Sequence, residues 1–175
     1  MRQVKYHVAS TVDGFIAHPD GSYDGFPMVG EHVDEFVTSL GSYDTVLMGT
    51  NTYEIGLKAG VTYPYPPLKH YVFSHSLDDV DEPDVEMVRS DAAEFVRKLK
   101  AQPGKDIWLC GGATLAATLL DAKLIDELII KLNPRLFGTG ISLTAGTPGI
   151  ITLDLLATKA YKTGVVLLTY RVNYA

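Results

Sequence analysis

The segment Trp108-Leu-Cys-Gly-Gly-Ala-Thr-Leu115 decides the fold. An apolar run ends on two glycines, and Leu115, Ala116, Leu119 and Leu120 then follow at helical spacing. That pattern is a buried strand turning directly into a helix. Glycine there lets a ligand approach the backbone with no Cβ in the way. The free amides and dipole of a helix N-terminus favour an anion, so a phosphate or pyrophosphate is the expected guest. The same glycines also suit a tight turn made for packing alone, and the segment by itself leaves both readings open.

A second junction of this kind precedes it. Val46-Leu-Met-Gly-Thr-Asn-Thr-Tyr53 again ends a strand on glycine, with Thr50, Asn51 and Thr52 next. Their hydroxyls and amides can bind phosphate oxygens, while Thr50 or Asn51 also reads as the cap of a short helix. Two such strand ends in one sheet support each other, because ligands of open α/β sheets sit at the carboxyl ends of the strands.

Other elements follow from periodicity. Val4 to Ser10 and His70 to Ser74 read as strands, with a weaker one at Val85 to Val88. A long loop, Thr11 to Pro27, follows the first strand, and loops of that length are often functional. Val33, Phe36, Val37 and Leu40 mark the inward stripe of a helix from about Gly30 to Leu40. Ser90 is placed as the N-cap of a helix carrying Ala92, Phe95, Val96 and Leu99 inward. Ile125 to Leu132 reads as a fully buried strand. Ile151 to Ala160 and Val165 to Val172 read as an antiparallel hairpin turning near Thr163-Gly164. Tyr63 and Tyr65, among prolines, can stack on a flat heterocycle or pack a rigid connection.

The chain has 175 residues, 46% hydrophobic, with 15 Lys+Arg against 21 Asp+Glu. One domain spanning 1–175 is expected at that length. The net charge of −6 and scattered basic residues argue against nucleic acid as a partner. A lone cysteine, Cys110, excludes an internal disulfide. No apolar run reaches the length of a signal-peptide core or a membrane span, so no membrane association is expected and the cytoplasm is the expected location. Gly138-Thr-Gly140 has Leu143 where a dinucleotide fingerprint needs glycine, and neither a P-loop nor a G-x-S-x-G occurs. The H-x-E and C-x-x-C pair of zinc deaminases is missing, and the five histidines form no i, i+4 pair, so no metal site is expected.

The succession Ala9-Ser-Thr-Val-Asp13-Gly14-Phe-Ile16-Ala17, Leu47-Met-Gly49-Thr-Asn-Thr52, Tyr71-Val-Phe-Ser74, Cys110-Gly-Gly-Ala-Thr-Leu115, Leu124-Ile-Asp-Glu-Leu128 and Gly138-Thr-Gly140 resembles the dihydrofolate reductase-like family. Within it, the chain looks most like the reductase domain of bifunctional riboflavin-biosynthesis enzymes, from about residue 3 to 173. The resemblance implies a three-layer α/β fold: a mixed, mostly parallel central sheet, helices on both faces and a C-terminal antiparallel hairpin. It implies NADPH bound across the strand ends and hydride transfer to a pteridine or aminopyrimidine-type heterocycle. By motif, Ala9, Ile16 and Ala17 would lie near the nicotinamide, and Gly49, Thr50 and Thr52 near a phosphate. Gly111, Gly112, Ala113, Thr114 and Leu115 would hold the pyrophosphate, with Ser74 and His75 near the adenosine 2′-phosphate. Many relatives have Arg where this chain has Thr50, which leaves His75 to favour NADPH, with Arg89 or Lys69 as the alternative cations if the fold brings them in. A homodimer is also expected, in line with the apolar strand Val165 to Leu168.

The proton donor has three candidates. At 100° per residue, His32 and Asp34 fall to either side of the stripe on the first helix, at the rim of its buried face. Asp13 stands at the mouth of the long loop. Glu31 and Glu35 are expected on the solvated face. The alternative to a reductase is a nucleotide- or flavin-like-ligand-binding protein of the same fold with little turnover.

Overall fold

The computed structural model describes residues 1–147 and 149–174. Strands β1 (Val4–Thr11), β2 (Phe15–Ala17) and β3 (Tyr43–Gly49) frame helix α1 (Glu31–Ser39), and α2 (Thr50–Lys58) leads to β4 (Lys69–Phe73) and β5 (Val85–Val88). Helix α3 (Ala92–Lys100), β6 (Asp106–Gly111), α4 (Ala113–Asp121) and β7 (Glu127–Asn133) come next. The chain ends with β8 (Ile141–Ser142), β9 (Thr152–Ala160) and β10 (Val166–Asn173).

Eight strands form one sheet in the order β5-β4-β3-β6-β1-β7-β10-β9. The pairs from β5 through β7 are parallel, and β10 is antiparallel to both of its neighbours. Alternation along the central strands builds two cores. Val4, Tyr6, Leu47, Ile107 and Leu109 pack with Val96 and Leu99 of α3 and Leu115 and Leu119 of α4. On the opposite face, Tyr43, Val46, Met48 and Trp108 pack with Phe36 of α1 and Tyr53 of α2. The sheet is therefore the middle of three layers, a dihydrofolate reductase-like arrangement.

Three local expectations need correction. In α1, Val37 is 61% exposed and His32 is 3% exposed, so the helix is rotated away from its purely apolar stripe. The cause is polar: His32 Nε2 bonds the Pro27 carbonyl at 3.1 Å, its Nδ1 lies 3.4 Å from the Thr163 hydroxyl, and its ring edges onto Tyr161. Burying a satisfied imidazole outweighs burying one more valine. Helix α3 is capped by Asp91 rather than Ser90, the Asp91 carboxylate accepting from the Glu94 amide at 2.7 Å. Strand β7 is half-buried rather than fully buried.

The second, smaller sheet pairs β2 with β8 across the long loop. Gly140 permits that closure: its φ is +158°, and a Cβ there would come within 2.3 Å of the Ala17 carbonyl oxygen. Far from this end, Lys100 reaches Asp126 and the Leu124 carbonyl from a position 7% exposed. Asp126→Ala leaves that ammonium buried without a counter-charge and removes the acceptor of the Val4 amide. The expected cost is about 2–3 kcal/mol in urea unfolding, near the lower end of losses from breaking a buried pair because Asp126 is partly exposed. Lys100→Met with Asp126→Leu is expected to recover most of it.

Candidate functional site

A cleft of about 1160 Å³ runs along the carboxyl ends of β1, β3, β4 and β6. Its centre is formed by the two glycine junctions. Helices α2 and α4 begin after Gly49 and Gly112, and neither has a side-chain cap. Thr50 is already helical, and its hydroxyl donates to the Phe73 carbonyl at 3.2 Å, so the expected cap by Thr50 or Asn51 is absent. First-turn amides have no intrahelical acceptor, so both helix ends present free N–H donors beside the cleft.

The junctions also touch each other. A Cβ on Gly49 would meet the Gly112 amide nitrogen at 3.3 Å, and one on Gly112 would meet Thr52 Oγ1 at 3.2 Å. These glycines allow the close approach of two chain segments. The peptide between Gly111 and Gly112 is cis.

Ala9, Ile16, Ala17, Gly49, Thr50, Thr52, Ser74, His75 and the run Gly111, Gly112, Ala113, Thr114 and Leu115 all line this cleft. Arg89 lines it too, because β4 pairs with β5 in a register that sets Phe73 opposite Val88. Its guanidinium donates to the Ser74 carbonyl at 3.1 Å and pairs with Asp79 at 2.9 Å. The Ser74 hydroxyl accepts the amides of Ser76 and Leu77. Lys69 turns elsewhere, to the Pro83 carbonyl and Glu86.

The three acid candidates part company. His32 lines the cleft, with both ring nitrogens engaged as above. Asp34 is exposed and does not line the cleft, because the rotation that buries His32 swings it outward. Asp13 is also off the cleft. It accepts from the Thr11 hydroxyl at 2.6 Å and from the amides of Phe137 and Gly138, tying the end of β1 to the following glycine loop. The Thr11 bond and then those amides hold its pKa below the usual carboxylate value. Glu35 is not merely solvated: it pairs with Lys159 and accepts from the Tyr161 hydroxyl at 2.6 Å.

The end of the cleft nearest α1 and β7 instead carries His7 and Lys131, which the motif reading missed. Both were visible in principle. His7 lies two residues before Ala9 on the same face of β1, and Lys131 is a lone charge inside the apolar run Leu128 to Leu132. Burial, and to a smaller extent Lys131, lower the His7 pKa to about 4. Burial also lowers that of Lys131. The floor is aromatic: Trp108 contacts Phe36 at 5.5 Å and Tyr65 at 4.7 Å between ring centroids. Tyr65 lines the cleft, whereas Tyr63 packs on His70 outside it. Burial pushes the Cys110 thiol up to about 12, so it is no nucleophile at neutral pH.

Comparison with known proteins agrees with this architecture. An uncharacterized Bacillus subtilis protein, YwjB, is 32% identical over 95% of this chain and 96% of its own length. A crystal structure of a putative riboflavin biosynthesis protein from Shewanella sp. PV-4 superposes with a TM-score of 0.83 over 99% of this chain and all of that one, at 22% identity. Dihydrofolate reductase from Enterococcus faecalis, solved with NADP(H) and an inhibitor named RAB-propyl, superposes with a TM-score of 0.70 at 17% identity, over 98% of this chain and 97% of that one. Residues 2–167 match the model of the RibD C-terminal domain, and the chain belongs to that family.

Proposed function

We propose that the protein is an NADPH-dependent reductase that delivers hydride to a flat pteridine- or aminopyrimidine-type heterocycle. The observation that supports this most is the pair of uncapped, glycine-led helix N-termini facing one cleft. Their amides suit the pyrophosphate and an adjoining phosphate oxygen. Arg89 and Ser74 mark the adenosine end, and Ala9, Ile16 and Ala17 the nicotinamide position. When bound, the reduced nicotinamide supplies the hydride. Phe36, Tyr65 and Trp108 offer apolar surface for a heterocycle.

The named NADP(H) complex of the Enterococcus reductase, which shares this fold, supports a nicotinamide cofactor here. The lone Cys110 suits a reducing compartment, in line with the cytoplasm as the place of reaction. The test is a titration with NADPH and with NADH, followed by energy transfer from Trp108, which lines the cleft. Saturable transfer is expected with NADPH, and its absence would overturn the proposal. A metabolite screen coupled to NADPH oxidation then finds the substrate.

A second reading, ligand binding with little turnover, draws on the displacement of Asp13 and Asp34 from the cleft. Tight NADPH binding with no oxidation by any flat heterocycle in the screen would favour it.

We further propose that the protein works as a homodimer through the β9–β10 end of the sheet. Leu153 and Leu155 face outward from β9 opposite Val172 and Tyr170, at 40% and 55% exposure. Apolar side chains left exposed along the edge strand β9 are typical of an association surface. Leu155→Lys is expected to shift a micromolar sample from dimer to monomer in sedimentation. A wild-type protein that sediments only as monomer would sink the idea.

A further inference from the structure

Behind the cleft lies a chamber of about 140 Å³, and His7, His32, Phe36 and Lys131 line both spaces. We propose that His7 and Lys131 form a receptor for a carboxylate, or an equivalent anionic oxygen, carried on the heterocyclic substrate. The inference rests on the reductase reading only for the position of the ring.

His7 carries the argument. Its residue is 8% exposed, its ring makes an edge contact with Phe36, and Nδ1 is wholly buried with no hydrogen-bond partner among the described residues. An unpaired buried N–H is rarer than an unpaired buried acceptor, so the partnerless Nδ1 bears on where the ring carries its proton. With Nδ1 covered, the neutral ring most cheaply leaves that nitrogen as the bare acceptor and carries its proton on Nε2. That proton is then available as a donor toward the spaces His7 lines.

Lys131 supplies the charge. Strand pairing sets Ala9 opposite Lys131 and His7 opposite Ile129, so the two side chains share one face of the sheet on adjacent strands. Among the described residues the Lys131 ammonium donates once, to the Pro27 carbonyl at 3.1 Å. Two of its three protons remain for a ligand. His32 uses its own Nε2 on the same carbonyl and has no donor left over. Among the described residues Glu35 is the one carboxylate lining the chamber, and Lys159 and Tyr161 hold its two oxygens. The wall is thus a half-buried cation beside an unused donor, with no free anion facing them. Burial lowers the pKa of both groups, and an anionic ligand oxygen between them would reverse that penalty.

The test compares uracil-6-carboxylate with uracil, two flat rings that differ by one carboxylate. Binding is followed by Trp108 fluorescence, with and without saturating NADPH. The wild type is expected to bind the carboxylate roughly ten-fold or more tightly than uracil, as charge-assisted hydrogen bonds allow. Lys131→Met is expected to erase the difference, Lys131→Arg to keep most of it, and His7→Leu to reduce it several-fold. All three are expected to leave NADPH binding unchanged. Equal affinity for both rings in the wild type overturns the receptor, as does no binding of either at millimolar concentration. So does a preference that survives both Lys131→Met and His7→Leu. If Lys131→Met does not fold, Lys131→Arg and His7→Leu decide. Failure of NADPH to bind counts against the reductase reading alone, because the carboxylate preference is read without cofactor as well.

Discussion

Gly112→Val is expected to weaken NADPH binding by about 100-fold or more. Two losses combine. The branched side chain occupies the approach to the free amides that start α4, where a pyrophosphate oxygen would sit. Hydrogen bonds to a charged group contribute about 1.5–3 kcal/mol each, so losing two gives an effect of that order. The added Cβ also meets Thr52 Oγ1 at 3.2 Å, tight enough that the Thr52 side chain must give way slightly. The two causes are separable. Thr52→Ala removes the clashing oxygen, so Gly112→Ala combined with Thr52→Ala probes ligand approach without the internal collision. If the double variant binds NADPH no worse than Thr52→Ala alone, the glycine serves packing. If it remains weaker by ten-fold or more, the glycine serves the ligand. A folded Gly112→Val protein, checked by circular dichroism, that binds NADPH like the wild type would move the site elsewhere.

The features legible in the sequence share a physical basis: each is written locally. A strand that ends on glycine and turns at once into a helix shows in eight consecutive residues, as at Gly111-Gly112 and Gly49. The closing hairpin was equally local, two apolar runs around Thr163-Gly164, and it forms β9 and β10. The rotation of α1 was not local. Its stripe counted apolar residues, but the helix docks through His32, whose partners Pro27 and Thr163 lie in other segments. Periodicity assigns a histidine no inward preference, so Asp34 was placed at the rim and in fact faces out. The aliphatic run of strand β7 reads as wholly buried, yet Lys131 on that run faces the cleft. Its sequence pattern shows the apolar character but not which neighbour covers each face.

Arg89 is the clearest case of information absent from local sequence. It stands 15 residues beyond Ser74, and only the pairing of β4 with β5 brings the two together. No rule of spacing supplies that register in advance. The same holds for Asp13, which looked like a catalytic acid at a loop mouth and instead clamps a glycine loop over 120 residues away.

Arg89 changes the expectation for cofactor choice. With only Ser74 and His75 at the proposed adenosine end, the preference for NADPH over NADH would be modest at pH 8, larger near pH 6, and mostly lost in His75→Ala. With Arg89 beside Ser74, the cation is a guanidinium, which stays charged at any working pH and matches phosphate geometry with paired donors. The ratio of NADH to NADPH dissociation constants is therefore expected to stay flat between pH 8 and pH 7. It then falls modestly toward pH 6, where the 2′-phosphate dianion begins to take up a proton. A histidine-based preference has the opposite sign, rising as pH drops through the ordinary imidazole range. Arg89→Ala is expected to cut the ratio by about 10- to 100-fold, the effect of a charged hydrogen bond or two. His75→Ala is expected to change it no more than about three-fold, the effect of one hydrogen bond in an exposed position. Asp79 competes for the same guanidinium, so Asp79→Ala is expected to raise the ratio slightly. A ratio that climbs as pH falls and is lost in His75→Ala, while Arg89→Ala leaves it intact, would return the role to His75 and leave Arg89 as a tie between β5 and the Ser74 carbonyl.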